Sequence, residues 1–358
     1  MRMSFLTLLK RSASFASLCL LALGALLVSA CGAPSSSSNS TPPPQATATI
    51  TPHGGGSTGP TNPPTPTPVP SNPTATPNNP APTPTIVPPP PTTPHPNFVQ
   101  TANSSNSLGD FTIISSTLTN NNPNALLFVT PNWNPGNGGS DVYDNSPIGV
   151  YYFIDAGTGY WAIFNQDLNA IPNGASFNVQ VLNPSASVFV QTAGSGNISG
   201  DNTVINNSAL NGNPNALLMV TPNWNPGGSG DVYDNHPIGV YYNGSAWAIY
   251  NQDTAPMPSG ASFNVRVLSS GTATFVQTAN SSNIVGDNTT IANPLSNNNP
   301  NAIVLVTPNW NPGDDGADVY DNHNIGVYYN GSGWAIFNQD GATMPTNAAF
   351  NVEVLSGS

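Results

Sequence analysis

The eight residues Val-Thr-Pro-Asn-Trp-Asn-Pro-Gly occur three times, beginning at Val129, Val220 and Val306. This repetition constrains the fold more than any other feature, because tandem copies must fold alike and can bury surface against one another. Each copy opens with Phe-Val-Gln-Thr-Ala, at Phe98, Phe189 and Phe275, and the spacing from that Phe to the Gly of the motif (Gly136, Gly227, Gly313) is identical. The spacing from Asp141, Asp231 and Asp318 to Tyr152, Tyr242 and Tyr329 is also kept, as is that from Trp161, Trp247 and Trp334 to Phe177, Phe263 and Phe350. Length changes fall in two places only, the Gly-rich stretch after Asn-Pro-Gly and the connection between Val-Tyr-Tyr and Trp-Ala-Ile. Strand ladders cannot absorb insertions without flipping their side chains, so these two places are surface loops.

Within each copy the apolar segments are short, β-branched and aromatic, and bounded by Asn, Gly and Pro. No segment shows a sustained helical period, and the copies read as all-β. Phe177, Val179 and Val181 alternate with polar residues and belong on one face of a strand. The continuous run Ala125–Val129 predicts a central strand buried on both faces. Asn243-Gly244 and Asn330-Gly331 predict tight two-residue hairpins in the second and third copies. The first copy has no Asn-Gly there, so the same strands in the same register should carry a longer, protruding tip at residues 155–159, since added loop length costs little closure entropy. The fold class expected is three tandem small β-sandwich or barrel-like modules, at 97–185, 186–271 and 272–358. Each is near the lower size limit for a self-sufficient core. The short connections imply touching neighbours, as beads on a string, with one closed three-part structure as the alternative.

The N-terminus reads differently. Arg2, Lys10 and Arg11 precede an apolar run from Leu18 to Val28, a signal-peptide pattern spanning 1–30. Leu-Val-Ser-Ala-Cys resembles the lipobox of bacterial lipoproteins, and the resemblance implies cleavage before Cys31, lipidation of Cys31, and export to the outer face of the bacterial cell membrane. Residues 31–96 are dominated by Pro, Thr, Ser, Asn and Gly and are expected to form a disordered linker. At about 3.1 Å per residue, such a segment could extend on the order of 200 Å as a stalk. The only other cysteine, Cys19, lies in the signal, so the body has neither disulfide nor thiolate chemistry. The repeat pattern Val-Thr-Pro-Asn-Trp-Asn-Pro-Gly, Ile-Gly-Val-Tyr-Tyr, Trp-Ala-Ile-Phe-Asn-Gln-Asp and Phe-Asn-Val resembles an uncharacterised all-β repeat of bacterial exported proteins. That resemblance implies no activity. Copy one departs from the others at Ser146, where they have His236 and His323, and copy three at Asn324, where the others have Pro147 and Pro237.

Charged residues make up 6% of the chain, against roughly 25% in ordinary soluble proteins. Beyond the signal only Arg266 is basic, against sixteen acids. Nucleic acid binding needs clustered Lys and Arg to displace counterions, and is excluded. Trp133, Trp224 and Trp310 have two readings. Each could fold over the end of its own core with its N–H on a loop carbonyl, or stand exposed as a platform for stacking sugar rings. On the second reading the candidate ligand-binding residues are Trp133, Asn134 and Tyr143, Trp224, Asn225 and Tyr233, and Trp310, Asn311 and Tyr320, with an extracellular glycan or cell-wall polymer as partner. Asp314, Asp315, Asp318 and Asp321 form the densest acidic stretch and are candidates to share Ca²⁺ through oxygen ligands; the alternative is Asx-turn chemistry, with no cofactor. His236 and His323 could pair with Asp234 and Asp321. No nucleophile or oxyanion motif accompanies them, so no catalytic residue is assigned and the chain reads as a non-enzyme. Three functions are carried forward: a lipid-anchored surface protein with three binding modules, a ligandless surface spacer, and a glycoside hydrolase resting on Asp141 and Asp144.

Overall fold

The computed structural model describes residues 95–138, 141–314 and 318–357. Cys31, the signal segment, nearly all of the 31–96 linker, and Asp315 lie outside the described residues. The described chain is all-β, with six antiparallel sheets in three repeated modules.

In the first module β1 (Asn97–Thr101), β7 (Ser176–Leu182) and β4 (Leu126–Pro131) form a three-stranded sheet in that order. The second layer has the order β2 (Ser107–Leu108), β3 (Phe111–Ile114), β6 (Thr158–Asn165), β5 (Ile148–Asp155). The two layers pack face to face over Leu127, Val129, Val150, Trp161, Ile163, Phe177 and Val179. The second module repeats this with β8 (Val188–Thr192), β9 (Ile198–Ser199), β10 (Asn202–Val204), β11 (Leu217–Pro222), β12 (Ile238–Tyr242), β13 (Trp247–Asn251) and β14 (Ser262–Leu268). The third does so with β15 (Thr274–Thr278), β16 (Ile284–Val285), β17 (Asn288–Ile291), β18 (Ile303–Pro308), β19 (Ile325–Tyr329), β20 (Trp334–Asn338) and β21 (Ala349–Leu355).

Two expectations are corrected here. Residues 125–129 are buried on both faces, but β4 is an edge strand by pairing, and β7 is central. Leu127 and Val129 face the module's own core, whereas Leu126 and Phe128 face a second cluster with Val188, Leu217, Met219, Leu268 and Leu305 from the other modules. The outer face of β4 is therefore covered by neighbouring chain rather than by its own sheet partners. The hairpins also differ from expectation. In copy one the β5–β6 ladder continues past Tyr152↔Trp161 to Asp155↔Thr158 and closes through Ala156 and Gly157, with φ of 47° and 83°. Two consecutive positive φ values match the strand twist, so the longer copy also ends in a two-residue turn, at the tip of a ladder extended by three pairs. In copies two and three the hairpins are tight as expected but centred one residue on, at Gly244-Ser245 and Gly331-Ser332. Asn243 and Asn330 N–H donate to the Ala246 and Gly333 carbonyls at 2.9 Å, and each Asn Oδ1 accepts two backbone N–H bonds. The equivalent pairs Tyr242↔Trp247 and Tyr329↔Trp334 keep the common register.

The three modules close on one another rather than standing as beads. Module 1 docks on module 3, module 2 on module 1 and module 3 on module 2, each through the same set of bonds. Trp133 N–H donates to the Val327 carbonyl at 3.0 Å, Trp224 N–H to Val150 at 2.9 Å, and Trp310 N–H to Val240 at 2.9 Å. The next residue completes the joint with its side chain. Asn134 Nδ2 donates to the Tyr329 carbonyl and Asn134 Oδ1 accepts from the Tyr329 N–H, at 2.8 and 2.7 Å. Asn225 does the same with Tyr152, and Asn311 with Tyr242. Nearer the centre, Thr221 Oγ1 accepts from Val129 N–H, Thr307 from Val220 and Thr130 from Val306, each at 3.0 Å. Asn178, Asn264 and Asn351 donate across to the Val304, Leu127 and Leu218 carbonyls. The edge of each β4-type strand is thus satisfied by a neighbour, as a buried edge requires.

One set of equivalent residues breaks the three-fold pattern. Gln180, Arg266 and Glu353 occupy the same position of the Phe-Asn-Val-X-Val-Leu strand and meet. Arg266 Nη1 donates to Gln180 Oε1 and to Glu353 Oε2, the latter at 2.6 Å. Burial pushes the Glu353 carboxyl up, and Arg266 opposes that shift.

Two outcomes follow. Asn225→Ala leaves the buried Tyr152 N–H and C=O without partners, and at about 1–3 kcal/mol per orphaned group it should cost about 2–4 kcal/mol in denaturant unfolding. Arg266→Met strands Glu353 in the interior and should cost about 3–5 kcal/mol, most of it recovered when Glu353→Gln is added.

Candidate functional site

The docking of Trp133, Trp224 and Trp310 builds at each joint the same four-ring aromatic circuit, termed the cleft of that joint. Trp133 and Tyr143 come from module 1, and Tyr328 and Phe337 from module 3. The four rings form a closed circuit. Trp133 lies 5.7 Å from Tyr143, tilted by 48°, and 6.0 Å from Tyr328 at 89°. Phe337 completes it, 5.8 Å from Tyr143 at 80° and 5.6 Å from Tyr328 at 83°. The same circuit recurs as Trp224, Tyr233, Phe164 and Tyr151, and as Trp310, Tyr320, Tyr250 and Tyr241. At the module 1–module 3 joint the circuit lines a cleft of about 210 Å³ together with Asp287.

Local sequence explains the placement. Tyr328 and Phe337 sit on adjacent strands β19 and β20, and the residue paired with Phe337 is Gly326. A Cβ at Gly326 would lie 2.8 Å from the Phe337 ring, so the glycine of Ile-Gly-Val-Tyr-Tyr makes room for the cleft wall. Gly149 and Gly239 do the same for Phe164 and Tyr250. The tryptophans are half-buried, whereas Tyr143, Tyr233 and Tyr320 remain 50%, 42% and 45% exposed at the mouths.

An aspartate at the same place in each repeat acts on the tyrosines of each circuit. Burial, and after it the Asp287 carboxylate, hold the Tyr328 hydroxyl above the usual phenol range. Burial and Asp110 act likewise on Tyr151 and Tyr233, and burial and Asp201 on Tyr241 and Tyr320. The ion pairs of the described residues are Arg266–Glu353, His236–Asp253 and His323–Asp340, none of which involves a cleft carboxylate.

The structure sorts the sequence candidates. Trp133, Tyr143 and their counterparts line the clefts. Asn134, Asn225 and Asn311 do not face a ligand, because both ends of each amide are spent on the neighbouring backbone. Neither reading of the tryptophans describes them fully. They cross to the next module, and their ring N–H groups are buried with no acceptor among the described residues. The loop-carbonyl bond belongs instead to the other tryptophans, Trp161, Trp247 and Trp334, at 2.8–2.9 Å from Asn122, Asn213 and Asn299. His236 and His323 bond Asp253 and Asp340 through Nδ1, at 2.6 and 2.7 Å, not the Asp234 and Asp321 expected. Among the described residues no three His, Cys, Asp or Glu side chains gather as metal ligands. Asp314 and Asp318 are exposed at turns with φ of 61° and 45°, while Asp321 is turned inward. Tyr328, Phe337 and Asp287 were missed because they belong to a different copy from Trp133; the glycine facing an aromatic residue was the available signal.

Asp144, Asp234 and Asp321 are buried, each with Oδ1 held by an amide (Asn165, Asn251, Asn338) and with Oδ2 lacking a partner among the described residues. Their backbone N–H groups donate across the joint to the Oε1 atoms of Gln339, Gln166 and Gln252 respectively. Asp144 is therefore part of the joint, while Asp141 is exposed.

Comparison with known proteins agrees with this architecture. The family described as Domain of unknown function (DUF7452) matches residues 87–156, 153–267 and 247–354. The chain belongs to this family. The DUF7452 segments follow one another along the whole ring, and the first ends within the β5–β6 hairpin. No curated protein matches the chain. No solved structure matches it either.

The three buried carboxylates make the stability of this DUF7452 ring depend on pH. Burial raises each from 3.8 to about 6, and the amide bond only partly offsets it. With the folded value above the unfolded one, the folded state binds more protons between the two, so stability falls as pH rises through that window. Lowering pH from 7 should raise the melting temperature, with most of the gain between about 6 and 4 and each carboxylate contributing about 1–3 kcal/mol. Asp340 works oppositely: its value is lowered, so its contribution is lost at still lower pH. A melting temperature that declines steadily from pH 7 to 5 would contradict this assignment.

Proposed function

We propose that this chain is an exported bacterial lipoprotein that displays a trivalent binding head outside the cell. Cys31 serves as the lipid-bearing residue, residues 31–96 as the tether, and the closed ring as the head. The head's partner on this reading is an extracellular carbohydrate or cell-wall polymer. The observation that carries it is the same four-ring aromatic circuit built three times at module joints, each with an exposed tyrosine, and lining at the module 1–module 3 joint a cleft that Asp287 shares. Aromatic rings supply apolar faces, while Tyr hydroxyls and Asp supply hydrogen bonds. Three weak sites on one rigid body gain avidity against a polymer that repeats its own unit.

A ligandless spacer is the competing reading. It draws on the half-buried packing of Trp133 against Tyr328 across the joint. Tyr143, Tyr233 and Tyr320 separate the two, because they line the clefts while leaving the joints' hydrogen bonds untouched. The triple substitution of these tyrosines by Ala should abolish retention on immobilised cell-wall polysaccharide and lower the melting temperature by only a few degrees. A glycan array blank for the unaltered protein would sink the binding reading. Anchoring is tested separately: Cys31→Ala should remove incorporation of labelled fatty acid and release the protein from the membrane fraction.

A further inference from the structure

We propose that the three clefts recognise an organic ammonium group, so that the ligand is a cationic rather than a neutral sugar. The carrier of that group rests on the glycan reading above; the charge does not.

The shape of the clefts is the first reason. A neutral pyranose stacks on one broad, open aromatic face. Here each tryptophan is half-buried and meets its neighbouring tyrosine at 85–90°. The remaining rings of each circuit follow at 78–87°, apart from one tilted contact. Rings set almost at right angles around one cleft present several π faces and edges to a small space. A compact cation within about 6 Å of a ring centroid is attracted by each face turned toward it.

Charge is the second reason. Asp287 lines the module 1–module 3 cleft, and Asp110 and Asp201 stand in the same relation to the other two circuits. All three are half-buried and none is in an ion pair among the described residues. The single arginine beyond the signal is held between Gln180 and Glu353, and the two histidines bonded to carboxylates take Asp253 and Asp340. Among the described residues no ion pair joins a cation to the carboxylates of Asp110, Asp201 or Asp287. Within the low dielectric of an aromatic wall, an ammonium gains from both the carboxylate and the rings. An anion would be repelled.

The test uses the intact chain and follows intrinsic tryptophan fluorescence, with three probes: oligomers of glucosamine, the same oligomers N-acetylated, and choline. We expect the free amines to bind at least tenfold more tightly than the acetylated oligomers. Their binding should weaken as salt is raised. The combined Asp110→Asn, Asp201→Asn and Asp287→Asn protein should lose the difference while keeping its melting transition. If that protein fails to fold, Asp287→Asn alone should lose about a third of the high-affinity sites by stoichiometry, and the salt dependence of the unaltered protein needs no variant. Equal, salt-independent binding of acetylated and free oligomers would overturn the ammonium assignment and leave the glycan reading standing. Choline binding without any oligomer binding would uphold the ammonium and overturn the glycan as its carrier. Binding of none of the three would overturn both.

Discussion

Everything in the head depends on an asparagine amide placed where a strand would otherwise end. Asn134, Asn225 and Asn311 each use their side chain as a peptide-group surrogate, donating to and accepting from one residue of the adjacent module. With the preceding Trp N–H bond, this extends a short parallel bridge across the joint, at Asn132↔Val327, Asn223↔Val150 and Asn309↔Val240. No hydrophobic contact fixes direction and register so tightly. The joint then decides what the edge strands can do. Leu126 and Phe128 on module 1, Leu217 and Met219 on module 2, and Leu305 on module 3 would each be exposed apolar side chains on isolated modules. Closing the ring buries these side chains and caps the strand edges, which addresses both weaknesses of a small β-domain.

A ring of identical parts has a problem at its centre, since every central residue meets its own copies. Three arginines or three glutamates would repel there without solvent to screen them. Divergence to Gln180, Arg266 and Glu353 turns a repulsive set into one ion pair with an amide partner. The same divergence makes the three modules inequivalent, so the copies are matched to their order in the chain. A buried ion pair adds little net stability but penalises any arrangement that separates its members. In this protein its consequence is specificity: exchange of a module between molecules that placed two arginines together would be disfavoured.

The layers were legible in the sequence because one module's own residues decide them. Alternation along 177–181, the Trp–Phe spacing and the constant register across copies each reflect pairing within a module. The closed ring was open to either reading for a physical reason. Asn-Trp-Asn-Pro-Gly has the composition of a turn, and it does turn, with Gly136 at φ of 70°, yet the same asparagines serve a partner far away in sequence. Composition reports local preference and carries no address. The continuous apolar run of β4 was correctly read as buried twice over, but a single sequence cannot distinguish a central strand from an edge strand that another module covers. The clefts were half legible. Trp133 and Tyr143 stood out, whereas Tyr328, Phe337 and Asp287 looked like ordinary strand and loop residues of another copy.

Placing the aromatic circuits at the joints ties them to assembly, and on the proposed function ties binding to it as well. Half of each aromatic circuit comes from each module, so an isolated module holds only halves of two sites. The three sites therefore exist only in the closed ring, at separations fixed by packing rather than by linker length. On the proposed binding function, their effective concentration on a polymer is set by geometry, and only a polymer whose repeat matches that geometry gains the full avidity. The sites are also not equivalent. Phe111 and Phe153 extend the circuit around Tyr151, where the other modules have asparagine at 202 and 243 and at 288 and 330. Burial, and after it Asp110, hold the Tyr151 hydroxyl above the usual phenol range. The joint between modules 1 and 2 is thus the more apolar of the three, and the other two carry amide side chains at the same positions.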